Sequence, residues 1–398
     1  MNRKVFEVKE SIVNNKNNIF SLESICKLTF LIFLCVIYAF YYEYRLYAEI
    51  IYIIFFSIYF LFNKGFFTKY TLWNLLFIVV CIVSISYSFI PSISMEMTRK
   101  MIELAILTNL LIVFINSKEK VLFIQQAFVI AGLVLSLRFI ITYPISTWGD
   151  TRMGDDLMNV NRLGMLLSIS SIFSTQLASL KKSKKHYFFT ALFSVIIVLT
   201  GSRKALLFLF MGIFSVAYLN VKKKSKKIKA IVLTTLIIFL GYALIMNVPI
   251  LYEVSGARME NLINSYLGSG DPDYSTRARM SHIETGTILF KEKPYLGYGI
   301  GNYSWVSGRG VYSHNNYIEL LVGVGLIGTI IYYSMYLYLI RNLMKNRSFI
   351  YGNAFLIIMI ILMITEYGLV NYYIEEYSII IASSFATLRV LKKQNQIR

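Results

Sequence analysis

Apolar runs approaching the ~20 residues that a helix needs to cross a bilayer core of ~30 Å recur along almost the whole of this chain, and few folds accommodate that pattern. They lie near 24–42, 47–62, 70–90, 101–116, 121–143, 160–180, 187–201, 203–219, 230–247, 314–340, 350–366 and 376–391. With 57% of its 398 residues hydrophobic and 15% charged, the chain reads as an integral membrane protein. The expected fold class is all-α and polytopic, with about 12 transmembrane helices. The exception to the pattern is the polar interval Val248–Ser313, the one place where a sizeable segment can fold against the membrane surface.

A net charge of +19 would suggest nucleic acid in a soluble protein, but its location decides otherwise. The surplus sits in short connectors, 181–185, 222–229 and 341–347, and in the tail 392–398. That is how cytoplasmic loops look under the positive-inside rule. The interval balances instead: Arg258, Arg277, Arg279, Lys291, Lys293 and Arg309 face Glu253, Glu260, Asp271, Asp273, Glu284 and Glu292. The expected layout is a cytoplasmic segment 1–23, nine membrane helices within 24–247, an extracytoplasmic loop 248–313, three more helices within 314–391 and a cytoplasmic tail 392–398. Residues 1–23 lack the features of a secretory signal, so both termini are expected inside, in a plasma (inner) membrane protein. Arg99 and Lys100 fit this register badly, because 91–100 falls outside. Cys26, Cys35 and Cys81 and the histidines His186, His282 and His314 have no metal-ligand spacing, so no metal, disulfide or cofactor is expected.

The stretch 187–219 is too long for one crossing, and as one helix it would put two Lys-rich loops on opposite faces. It must reverse at Thr200-Gly201-Ser202-Arg203-Lys204, leaving two short arms and a turn below the headgroups. An ionised Arg203 at that depth is a functional-site candidate; its alternative role is an anchor to lipid phosphate. Within the interval, Asp273–Lys291 reads as a helix with Met280, Ile283, Thr287 and Phe290 on one stripe and Arg279 and His282 on an adjacent face. Pro294 ends it. Gly297-Tyr298-Gly299-Ile300-Gly301 then reads as a flexible turn able to bring backbone close to a ligand, and His314-Asn315-Asn316-Tyr317 opens the next apolar segment. In the earlier connector, Asn161 suits a helix start with Arg162 in its first turn. Arg138 reads as snorkelling to the interface, and Glu366, Glu375 and Glu376 as lining the outer rim. Gly323-Val-Gly325-Leu-Ile-Gly328 spells G-x-G-x-x-G inside a membrane helix with no βαβ unit, so helix packing explains it better than a dinucleotide.

These residues resemble the O-antigen ligase and polymerase superfamily, whose polymerases are called Wzy-type. Thr200-Gly-Ser202-Arg203-Lys-Ala-Leu-Leu is similar to the family's Ser-Arg turn. Ser275-x-x-x-Arg279 with its helix and Pro294-x-x-Gly297-x-Gly299-x-Gly301 is similar to its outer-loop helix, and His314-Asn315-x-Tyr317-x-Glu319 with Gly325 and Gly328 to its His-Asn segment. The Arg152–Gly164 connector is a weaker fourth part. Arg277, two residues before Arg279, leaves the loop arginine open between the two.

The resemblance implies a metal-independent glycosyltransferase of the GT-C type on the outer membrane face, acting in surface polysaccharide biosynthesis of the capsule or O-antigen kind. Its donor and acceptor would be undecaprenyl-diphosphate-linked oligosaccharides, with membrane lipids and possible service from a flippase and a chain-length regulator. Arg203, Arg279 and His314 are the expected catalytic residues: two cations for the leaving diphosphate and an imidazole for the acceptor hydroxyl. Arg277, Lys204, Asn315, Tyr317, Glu319 and Arg162 are expected to bind substrate, and His282 is the rival base. Read without the family, Arg279 is a solvated or headgroup-bound side chain, and the alternative role of His314 is a cap or interface residue. The alternatives in function are a ligase that hands the finished glycan to another acceptor, and a transporter of lipid-linked sugars. The latter is disfavoured by the lack of repeated halves and of any evident helix break besides 200–204.

Overall fold

A computed structural model describes residues 21–63, 66–148, 153–221, 223–267 and 274–397. Residues 1–20, Arg152, Lys222, Asp271, Asp273 and Arg398, which entered the expectations above, lie outside the described residues, as does the side chain of Ser275. Before the interval come α1 (Leu22–Ala39), α2 (Tyr41–Phe62), α3 (Lys69–Ile85), α4 (Pro91–Phe114), α5 (Lys118–Thr142), α6 (Val160–Lys181), α7 (Lys184–Leu199), α8 (Arg203–Asn220) and α9 (Lys224–Asn247). The interval holds α10 (Ala257–Tyr266) and α11 (Tyr274–Glu292), and α12 (Asn316–Lys345), α13 (Asn353–Thr365) and α14 (Glu375–Ile397) follow it.

Each expected membrane segment coincides with a helix, and the protein is an all-α polytopic membrane protein. Among the described residues, 8 helices are long and apolar enough to cross a membrane by length and composition. The remaining expected segments differ for identifiable reasons: α3 and α7 have only 17 and 16 residues, while α4 and α14 carry more charge than a simple span.

α6 is the centre of the bundle, 89% buried over its apolar window, whereas α9 is only 11% buried and sits at the periphery. Small hydroxyl side chains let the neighbours of α6 approach closely and hydrogen-bond across helices. Ser170 Oγ donates to Phe128 O at 2.8 Å, Ser168 Oγ to Ala205 O at 2.9 Å and Ser174 Oγ to His186 O at 2.7 Å.

The misfit at Arg99 and Lys100 resolves because α4 starts at Pro91, well before the expected boundary near 101. Proline suits the first helical turn, where its missing N–H has no partner to lose. Lys100 is therefore a helix residue and not a loop charge, paired with Glu103 at 2.8 Å and Glu375 at 2.5 Å. Arg45 joins the same network, reaching Glu375 at 2.7 Å and Glu49 at 2.9 Å. Glu366, Glu375 and Glu376 are buried rather than placed on a rim. Arg138 bonds to Glu43 at 2.6 Å and lies over the Phe40 ring, so it is partnered within the protein instead of snorkelling.

The chain reverses between α7 and α8 as the charge rule requires. Gly201 adopts φ +60, and a Cβ there would lie 2.6 Å from Val254 O, so only glycine allows the interval's backbone at Val254 to close over the turn. Ser202 caps α8 by accepting from Ala205 N at 3.4 Å, and its hydroxyl donates to Asn161 Oδ1 at 2.8 Å. Thr200 and Ser202 are buried in protein, the condition under which non-helical backbone survives at membrane depth.

A second break, absent from the expectations, interrupts α12 at Gly325, whose backbone is non-helical (φ 63, ψ -168). The carbonyls and amides it frees are taken up by the segment after Pro294. Tyr298 N donates to Val322 O and Gly299 N to Gly323 O, each at 2.8 Å, while Leu326 N donates to Pro294 O at 2.8 Å. The glycine-rich turn is accordingly clamped rather than flexible, and the backbone it approaches is the protein's own. On its far side Ser94 Oγ donates to Ile300 O at 3.0 Å and Asn302 Oδ1 accepts from Ile90 N at 2.9 Å. This clamp fixes the C-terminal end of α11 against α12 and the start of α4.

Candidate active site

α12 begins at Asn316, so His314 lies just ahead of it in a tight turn and adopts φ 56, a left-handed conformation uncommon for a residue with a side chain. Three of the residues expected to bind substrate have partners within the protein around this turn and α12. Glu319 reaches back to accept from Ser313 N at 2.8 Å. Asn315 caps α12, its Oδ1 accepting from Tyr317 N at 3.0 Å and Ile318 N at 3.2 Å. Tyr317 donates to Met363 O at 2.6 Å and stacks on Tyr333, with ring centroids 4.8 Å apart.

Asn316, not assigned from the sequence, ties the turn to the segment after α13. Its Oδ1 accepts from Asn371 N at 3.1 Å and Tyr372 N at 3.2 Å, and its Nδ2 donates to Tyr333 OH at 3.0 Å and Glu366 Oε2 at 3.2 Å.

The cations come from two other parts of the chain. Arg203 and Lys204 open α8 directly after the buried turn, and Arg203 Nη1 approaches Arg258 O at 3.5 Å. The Lys204 stem runs against Gly368, where a Cβ would meet its Cε at 2.9 Å, so this glycine makes room for the lysine. Arg279 projects from α11. Lys204 lies within electrostatic reach of both Arg279 and Arg203. His314 lies within reach of Arg279, Lys204 and His282.

Lys204, Arg279 and His314, all half-buried, therefore lie within electrostatic reach of one another, and half-buried Arg203 precedes Lys204 at the start of α8. Burial, and after it the Arg279 and Lys204 charges, pushes the His314 imidazole down to about 4, which leaves it neutral at ordinary pH. His282 is likewise held below its usual value, first by burial and then by Arg309.

Arg277 is exposed on α11, whereas Arg279 is half-buried and lies within electrostatic reach of His314. Arg162 is ion-paired with Glu376 and stacks over Tyr41, 4.2 Å from the ring centroid. Sequence reasoning missed Tyr303 and Tyr312. Tyr312 packs on His314 with ring centroids 4.2 Å apart, and Tyr303 binds His282. Both sit in the irregular segment between the clamp and α12, where no periodicity marks a residue as inward-facing.

A bundle of apolar helices whose one long polar interval brings arginine, lysine and a neutral imidazole together defines a polytopic membrane protein with an anion-receptive site. Residues 188–333 match the family model described as O-Antigen ligase, a match that supports the O-antigen ligase/polymerase superfamily. The matched stretch contains Arg203, Lys204, Arg279 and His314 together with both helix breaks. It supports the function of a membrane glycosyltransferase-like enzyme of the O-antigen ligase/polymerase type, working on lipid-linked glycans. A comparison with curated proteins gave no match.

Proposed function

We propose that this protein polymerises undecaprenyl-diphosphate-linked oligosaccharide repeat units of a surface polysaccharide, on the outer face of the plasma membrane. The observation that carries the reading is that Lys204 and Arg279, from stretches far apart in sequence, lie within electrostatic reach of one neutral histidine, with Arg203 next to Lys204. The bond between the anomeric carbon and the diphosphate oxygen breaks as the acceptor hydroxyl oxygen bonds to that carbon from the opposite face, inverting it. Negative charge grows on the departing diphosphate. Arginines offer it fixed paired donors, and Lys204 adds a point charge, so that no divalent cation is required. His314 takes the hydroxyl proton, which only the neutral imidazole can do.

The anionic donor also helps the base. Its charge offsets Arg279 and Lys204, so the imidazole gains proton affinity when the substrate is in place. A flippase that delivers repeats and a regulator of chain length fit as partners in this reading.

The test uses the purified protein and lipid-linked repeats in detergent. Chain growth should proceed in EDTA and vanish in Arg203→Ala and Arg279→Ala that still insert and purify normally. Near-normal polymer from either variant, or a strict requirement for Mg²⁺, removes the cation-clamp mechanism. Growth in a single compartment excludes the transporter. A deletion strain that accumulates single-repeat surface glycan marks a polymerase, and one that loses only attachment of the finished glycan marks a ligase.

A further inference from the structure

Tyr303, His282 and His314 form a chain whose hydrogen positions are set by geometry. The Tyr303 hydroxyl donates its one proton to the His282 carbonyl oxygen at 2.8 Å. The Tyr303 hydroxyl oxygen lies 3.2 Å from His282 Nδ1, and with its proton committed to the carbonyl it accepts there. Nδ1 of His282 must therefore carry the hydrogen, which leaves Nε2 as a lone pair on the opposite edge of a buried ring. The ring that meets His282 is that of His314, at 5.7 Å between centroids and 63° between planes. Arg309, whose charge acts on His282, donates through Nη2 to Ser281 Oγ at 2.5 Å and Thr285 Oγ1 at 2.8 Å.

We propose that His282 is a positioning residue for His314: its Nε2 accepts the His314 ring N–H through one bridging water, and so fixes which His314 nitrogen presents a lone pair to the acceptor hydroxyl. The inference rests on the glycosyl-transfer reading above. Its logic is that of any base whose tautomer is held by a third group, with Tyr303 as the group that sets the tautomer of His282 in turn.

The experiment measures chain growth by purified His282→Leu, His282→Gln and Tyr303→Phe. The glutamine carbonyl can accept a hydrogen bond where Nε2 did, whereas leucine cannot. His282→Leu should lose about 10²-fold in kcat with KM little changed, and His282→Gln should recover most of that loss. Tyr303→Phe keeps the ring while freeing its tautomer, and should fall between them. It also serves should His282→Leu fail to fold.

Wild-type kcat in His282→Leu or in Tyr303→Phe, or equal losses in the leucine and glutamine variants, overturns the inference. If Arg279→Ala is inactive in the same assay, the transfer reading survives that result. If instead Arg279→Ala and His314→Ala both retain activity, the reading itself falls and the inference with it.

Discussion

The N–H of Ser313 donates to the carboxylate of Glu319 at 2.8 Å, and this bond spans the left-handed turn in which His314 is held. Ser313 and Glu319 are both buried, so neither group has water to turn to. Glu319→Ala should leave the amide unsatisfied at a cost of about 1–3 kcal/mol and let the imidazole drift from the cations. Glu319→Gln retains an acceptor oxygen and should retain most of the activity. Thermal stability in detergent and chain growth, measured on both variants, check this; equal loss in the two would assign Glu319 a charge-dependent role instead.

Arg277→Ala should leave chain growth within about twofold of wild type, whereas Arg279→Ala should lose about 10²–10³-fold, the range for removing one donor from a developing charge. The contrast follows from exposure of Arg277 on α11 against the half-buried placement of Arg279 beside His314. Initial rates with lipid-linked repeats decide it, and the reverse ranking would move the catalytic arginine by two positions.

His314 links stability to pH. Its imidazole titrates at about 4 in the folded protein, against 6.5 for the ordinary group. Between those values the unfolded chain binds the proton and the folded one does not. Stability is thus intact above 6.5 and falls as pH drops through the window toward 4. His314→Gln removes this contribution, so its melting temperature should decline less than that of wild type between pH 7 and pH 4.5. Parallel decline of the two proteins would contradict the buried neutral state.

The clamp predicts opposite outcomes for two glycines. A Cβ at Gly297 would lie 2.5 Å from Val322 O, at a residue with φ +73, so Gly297→Ala should prevent the segment from docking and abolish accumulation of folded protein. Gly241 on the peripheral α9 has nothing within 4 Å, and Gly241→Ala should raise stability by up to about 1 kcal/mol through helix propensity. Membrane yield and melting temperature distinguish the two.

Arg162 and Glu376 form a buried pair in which the carboxylate is fully enclosed. Removing one partner from such a pair costs about 3–5 kcal/mol, while replacing both with apolar residues is often neutral. Arg162→Leu should therefore destabilise strongly, and Arg162→Leu with Glu376→Leu should recover stability. Recovery of activity along with stability would set Arg162 apart from the diphosphate-binding cations. A stable but inactive double variant would return it to the substrate.

The sequence by itself determined the helical membrane architecture, because apolar runs of spanning length allow little else and the Lys-rich connectors force the reversal at Thr200–Ser202. It also singled out Arg203, an ionised side chain beside a turn in apolar sequence, while Lys204, Arg279 and His314 stand out through the family resemblance. Tertiary structure decided what no period of one helix encodes. It paired Lys100 with Glu375, broke α12 at Gly325 to receive the Pro294–Gly301 backbone, and set His282 against His314. It also gave Asn315, Tyr317 and Glu319 their hydrogen-bond partners around the His314 turn and α12. The physical reason is that a buried polar group must find a partner, and which distant group supplies it depends on how the helices pack.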